Sequence, residues 1–477
     1  MCKIIDRIAK CGLIPGLMVL LFAVNVAAHI DGVSGTGFNI TARPGYISTA
    51  DGNSVYTWGY ALDAGTMQYP GPTLILDQGN TITITLRNEL PLEAGRVSMV
   101  FPGHHVNASG GFAGLLTKEA PPDGITAVTY TFYTEHAGTY LYHSGSNPTL
   151  QIEMGLMGVI IVRPYGYNPM MPRAYNHPDS AYDMEYLFLL SEMDPLIHEI
   201  VEFSGVAALQ SSDFLSHYFP NYWFINGRTA PDTMVAPGTS WLPTQPYNCM
   251  PMMHPGDKLL MRVIDAGRDL HPFHHHGNHS LIIARDGRLL ESAPGVSGPD
   301  LAQEVFTIQS VPGETVDAIF EWTGAGLGWD IYGHEQDVDY PPLGNFPSAE
   351  DIDHNMNGIF DSVPLEPHEY EPDHGKPFPV ILPEHQDVTF GGFYSGSPFL
   401  GYMGDLPPGE GGMNPHAGFV YMWHSHTEKE MTNFDIFPGG NMTMLIIVPP
   451  GVMIHPMMLP ETSEEIHLLS KNREAVK

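Results

Sequence analysis

The feature that most constrains this chain is how often its apolar runs are cut short. Runs of four to six apolar or alternating residues recur along it. They include Thr81-Ile82-Thr83-Ile84-Thr85-Leu86, Val128-Thr129-Tyr130-Thr131-Phe132, Val159-Ile160-Ile161-Val162, Leu259-Leu260-Met261-Arg262-Val263 and Met444-Leu445-Ile446-Ile447-Val448. Gly, Pro, Asn and Asp break them off, and 51 Gly with 43 Pro supply the turns. No stretch holds a 3.6-residue apolar period for a useful length. The class is therefore all-β, built as turn-rich sandwiches rather than a helical or doubly wound fold.

Residues 1–28 read as a signal peptide. Lys3, Arg7 and Lys10 precede an apolar run from Cys11 to Ala28, and Val26-Ala27-Ala28 offers small residues for cleavage. An uncleaved anchor is the competing reading, but Pro15, Gly16 and Asn25 interrupt a run already short for a bilayer span. The expected location is thus outside the cytoplasm (periplasmic, cell-surface or extracellular), with no membrane span in the mature chain. Cys2 and Cys11 fall in the leader, so Cys249 stands alone after cleavage and stability must come from a large core.

The remaining length suggests two or three domains. Two stretches, 35–165 and 183–450, share one plan: a strand pair, a histidine-bearing middle, a Gly-rich turn and a late aromatic strand that runs into a second histidine cluster. Within the second, about 326–415 is dense in Asp, Glu, Pro and Gly and poor in alternation, which reads as a long acidic loop insertion. A third small domain is the alternative, although apolar residues at strand period are too few for a core. Residues 451–477 form a C-terminal tail.

Twenty Lys and Arg against 53 Asp and Glu give a net charge of −33. Such a surface repels nucleic acid and anionic membrane, which are set aside as partners. It serves solubility, or attracts metal cations and cationic redox partners.

Among 24 histidines the densest run is His271-Pro272-Phe273-His274-His275-His276-Gly277-Asn278-His279. On a strand side chains alternate faces, so His274 and His276 project one way and His275 the other. His424-Ser425-His426 repeats the alternation, and His143-Ser144-Gly145 ends the equivalent strand of the first unit. Imidazole is a common ligand of copper and zinc, and His143, His274, His276, His424 and His426 are expected to converge on one site between domains. The bland alternative is that these are surface or core histidines.

The segments Pro70-Gly71-Pro72-Thr73-Leu74, Gly138-Thr139-Tyr140-Leu141-Tyr142-His143-Ser144, Gly155-Leu156-Met157-Gly158, His271-Pro272-Phe273-His274-His275-His276-Gly277 and Trp423-His424-Ser425-His426 resemble, in order, the copper motifs and framework of multicopper oxidases. The resemblance implies two cupredoxin-like Greek-key domains, as in two-domain laccases, which are homotrimers with metal sites between subunits. It also implies copper and an oxidoreductase fed by a small-molecule or protein reductant. Carried over, His271 matches a type-1 ligand, His274 a type-2 ligand, and His143, His276, His424 and His426 ligands of the paired type-3 coppers.

The departures from the family pattern are specific. The type-1 cysteine is Ser425, the second type-1 histidine is Glu430 and the axial methionine is Asp435; a serine oxygen cannot replace the soft thiolate of a blue-copper site. Val100 and Pro102 stand where the first-domain His-x-His would be, and Gly145 replaces the partner of His143; His104 and His105 are the only nearby substitutes. The remaining ligands suit one or two copper ions, with zinc or a degenerate site as alternatives. A non-enzymatic exported metal-binding or structural scaffold is therefore the rival function. A nitrite-reductase-like enzyme ranks lower because it also wants the cysteine.

Two further motifs stand apart. Asp353, Asn355, Asn357 and Asp361, with Gly358 in the sixth place, follow the spacing of a calcium loop, but Pro364 occupies the twelfth place, so an unliganded acidic turn is an equal reading. Met250-Pro251-Met252-Met253-His254 and Met453-Ile454-His455-Pro456-Met457-Met458 carry thioethers suited to Cu(I) or to ordinary packing.

Overall fold

The computed structural model describes residues 30–210, 217–254, 256–322, 404–405, 413–414, 419–448 and 454. The leader, the calcium-type motif from Asp353 to Asp361, nearly all of the insertion and almost all of the C-terminal tail lie outside the described residues.

The chain forms two β-sandwiches stacked into four layers. In the first, one sheet runs in the order β3–β2–β5–β7–β6, where β2 is Gly37–Ser48, β3 Ser54–Leu62, β5 Thr81–Asn88, β6 Val106–Gly110 and β7 Val128–Tyr133. Its facing sheet runs β1–β4–β9–β8, with β1 Val33–Ser34, β4 Leu74–Asp77, β8 Gly138–His143 and β9 Met157–Arg163. Period-two alternation sets the inner face: in β5, Ile82, Ile84 and Leu86 are fully buried while the residues between them are exposed or half-buried.

The second sandwich opens with a sheet ordered β11–β10–β13–β17–β15, where β10 is Met184–Met193, β11 Tyr222–Ile225, β13 Lys258–Asp265, β15 Ser280–Arg285 and β17 Thr315–Glu321. The outermost sheet runs β12–β19–β18–β14–β16, with β12 Met252–Met253, β14 His271–His275, β16 Thr307–Ser310, β18 Phe419–Ser425 and β19 Met442–Ile447.

Three apolar layers hold the stack. Trp58, Tyr142 and Ile160 lie in the core of the first sandwich, and Phe188, Phe273 and Trp423 in that of the second. Between the sandwiches, Leu141, Val159 and Ile161 meet Leu187, Leu189 and Phe224. This middle layer explains the unbroken apolar run Val159–Val162: β9 is buried on both faces, so alternation disappears from its sequence. Each such side chain contributes about 1.5–3 kcal/mol by leaving water.

The same interface buries charge. Arg163 pairs with both oxygens of Glu185, and Arg262 Nε donates to Glu185 Oε2 at 2.9 Å. Thr139 Oγ1 accepts from Arg262 at 2.8 Å and donates to Asp317 at 2.7 Å, which ties β8 to β13 and β17. Two guanidinium groups face two carboxylates, so little net charge is left in the low-dielectric layer.

Candidate metal centre

β14 lies between β16 and β18, with His274 opposite Thr307 on one side and His424 on the other. Phe273 and His275 point into the sandwich. The His275 ring lies against Phe320 and Trp423, and burial pushes its pKa down to about 3. The alternate residues His274, His276 and His424 emerge on the outer face, joined by His426 just beyond β18. The division of His275 from His274 and His276 is the one alternation predicts.

These four rings form one cluster. Ring centres lie 4.7 Å apart for His274 and His276, 4.9 Å for His274 and His426, 5.1 Å for His276 and His424 and 5.7 Å for His424 and His426. His424 Nδ1 donates to the Ser425 carbonyl at 2.7 Å, which leaves the Nε2 lone pair facing His276 Nε2 at 3.1 Å. His274 Nδ1 is held by Thr307 Oγ1 at 2.9 Å. Burial, followed by mutual repulsion, lowers the pKa values of His274 and His424 to about 4 and of His276 to about 2, so all three are neutral ligands at ordinary pH.

The donor set fits an imidazole-loving ion. Two nitrogens of a tetrahedral ion with bonds of about 2.0–2.1 Å stand about 3.3 Å apart, close to the His276–His424 separation. Among the described residues no group of three or more His, Cys, Asp or Glu side chains has its donors gathered to hold an ion as they lie. The rings meet edge to face except His424 and His426, which are tilted by 33°, and rotation about their side-chain bonds would bring a third nitrogen round.

The position that the sequence resemblance matches to a type-1 site is occupied by an ion triad. His271 is fully buried at the end of the second core, its Nε2 2.9 Å from Glu192 Oε2 and its Nδ1 2.8 Å from Glu430 Oε2. Burial opposes charge on the ring, but the two carboxylates outweigh it and raise the His271 pKa well above the ordinary value. Ser425 is buried beside this triad, and Asn441 links the two through backbone bonds to Ser425 and Glu430. Asp265 completes the pocket, pushed up to about 8 by burial and so protonated at neutral pH. Glu192 and Asp265 escape sequence reasoning because they belong to distant strands with no motif; the one local signal is a carboxylate ending the apolar run of β10.

His143 does not join the four histidines within the chain. It ends β8 opposite Met157, on the side that packs toward the second sandwich, whereas the cluster lies on the far face of the outermost sheet. Convergence between the two domains of one chain is thus corrected to a four-histidine group on one sheet, because a whole sandwich separates it from β8. Val100 pairs directly with His143, which places an apolar side chain where the resemblance expects a ligand. His104 offers no substitute: its ring rests against Phe132 and Tyr140 at 4.8 and 4.5 Å, on the opposite face of β8.

Residues 48–166 match the family model described as multicopper oxidase. The first sandwich is similar to a multicopper oxidase domain. Over 115 residues, 22% of this chain and 16% of the relative, it is 36% identical to multicopper oxidase MCE of Talaromyces pinophilus. Copper resistance protein A of Escherichia coli is 33% identical over 124 residues, 26% of this chain and 18% of that protein. The chain therefore spans under a fifth of the length of these two relatives. A blue copper oxidase structure from Nitrosomonas europaea aligns over 89% of each chain with a TM-score of 0.48 and 17% identity. Among the described residues no helix is long and apolar enough to cross a membrane.

Proposed function

We propose that this chain is an exported copper protein of multicopper-oxidase type, an oxidoreductase that works without a type-1 centre. His274, His276, His424 and His426 hold one or two copper ions, and His143 of a neighbouring copy completes the site in a homotrimer. The observation that carries the reading is the contrast between two histidine environments a few residues apart. On the outer face four imidazoles turn toward one another, with His424 Nε2 3.1 Å from His276 Nε2, while His271 has both nitrogens engaged by carboxylates.

Copper held on the outer face would supply one-electron redox chemistry. The protein's part is to keep His274, His276 and His424 neutral by burial, to orient His274 through Thr307 and to orient His424 through the Ser425 carbonyl. Exposed Leu115 and Leu116 on the first sandwich, and Phe306 and Leu281 on the second, support contact between copies. In the insertion, Asp353, Asn355, Asn357 and Asp361 are proposed to take calcium as a structural clamp on an acidic loop.

Metal quantification with electron paramagnetic resonance on copper-loaded protein tests this reading. One or two copper ions per chain with no type-1 signal, and slow oxidation of phenols, is the expected result. Less than one copper per two chains would leave only a scaffold, and fast laccase-like turnover would overturn the reading of Ser425.

A further inference from the structure

The outer face of the second sandwich carries sulfur as well as imidazole. In the β18–β19 pair Met422 stands opposite Met444, and His424 opposite Met442. Directly opposed side chains have Cβ atoms ~5 Å apart. Met422 and Met442 are 6% and 5% exposed, and Met444, half-buried, packs against them. This cluster is separate from the sandwich core: Tyr421, Trp423 and Leu445 face inward, and the methionines lie on the other side. Ala230 packs on the methionines, and Thr233 Oγ1 donates to the Met442 carbonyl at 2.8 Å, so the 230–233 segment covers them.

We propose that Met422, Met442 and Met444 form a soft-metal site that takes Cu(I), beside the imidazole cluster and distinct from it. Leucine or isoleucine would cover this face equally well. Three thioethers gathered outside the core add a donor set that neutral imidazole and carboxylate do not provide. Soft thioethers favour Cu(I) over the harder Cu(II). The half-buried Met444 gives the ion a way in, and the His424–Met442 pairing puts the reduced ion next to an imidazole ligand. The site stands on the methionine register alone, so it survives or fails independently of Cu(II) binding by the histidines.

The test uses the full chain loaded anaerobically with Cu(I), in competition with a chromophoric chelator, and X-ray absorption at the copper edge. Sulfur scatterers in the coordination shell are expected. A Met422→Leu/Met444→Leu variant should bind one Cu(I) fewer, while its Cu(II) resonance spectrum and thermal unfolding stay as in the parent. Met444→Leu alone, at a half-buried position where Leu nearly conserves volume, should weaken Cu(I) binding even if the double variant folds poorly. His274→Ala/His276→Ala should lose Cu(II) and keep the sulfur shell. A shell of nitrogen and oxygen only, or an unchanged Cu(I) count in the Leu variants, would overturn the site.

Discussion

At the scale of single residues, the decisive feature is the pairing of the buried His271 with two carboxylates, Glu192 and Glu430. Ser425 and Glu430 are legible by counting along one motif, whereas Glu192 and Asp265 reach the same pocket from β10 and β13 and leave no local spacing to read. It follows that Ser425→Cys alone should give no intense visible band on copper addition, because Glu430 still occupies His271 Nδ1. Ser425→Cys combined with Glu430→His frees that nitrogen and supplies the thiolate, so a blue copper–thiolate absorption is expected from the pair. Acid sensitivity belongs to the same scale. His274, His275, His276 and His424 are held neutral with pKa values of about 4, 3, 2 and 4, against about 6.5 in an unfolded chain. The unfolded state binds protons first, so their stabilisation is present above pH 6.5 and is lost as pH falls from about 6.5 through 4 toward 2. Thermal melts of metal-free protein across that range should show a declining midpoint; a flat profile would contradict the burial of these rings.

At the scale of the strand, sequence alternation sorts the histidines correctly but says nothing of their neighbours. His274 and His276 project together and His275 turns inward because the side-chain period of a strand is two. Thr307, in contrast, becomes a positioning residue through register alone, since β16 happens to bring its hydroxyl opposite His274. Thr307→Val keeps the shape and removes the hydroxyl, and should weaken Cu(II) binding about 10–100-fold without moving the melting point. Titration against a competing chelator reads this directly, and an unchanged affinity would show that His274 needs no such anchor. The all-β class was legible throughout, because short alternating runs survive wherever one face meets water. It faded at β9, β10 and β13, where both faces are covered and the sequence gives no clue to which side meets which sheet.

At the scale of the whole molecule, layer order separates what the motifs suggested should meet. No residue spacing records that β8 lies in the second layer and the four-histidine face on the outside of the fourth, since that order depends on which sheet faces are apolar. His143 thus lies apart from the four-histidine face of its own chain. Sedimentation of the purified chain is expected to report a trimer, and His143→Ala should reduce copper per chain while leaving each subunit folded; a monomer that retains full copper would remove the neighbour from the site. The central layer between the sandwiches has its own consequence. With Arg163, Glu185, Arg262 and Asp317 sealed among Leu141, Ile161, Leu187 and Phe224, parting the two halves would strand charged groups and wet an apolar sheet face in a single event. Heating should therefore give one calorimetric peak rather than two, and either half expressed on its own should precipitate or fail to fold.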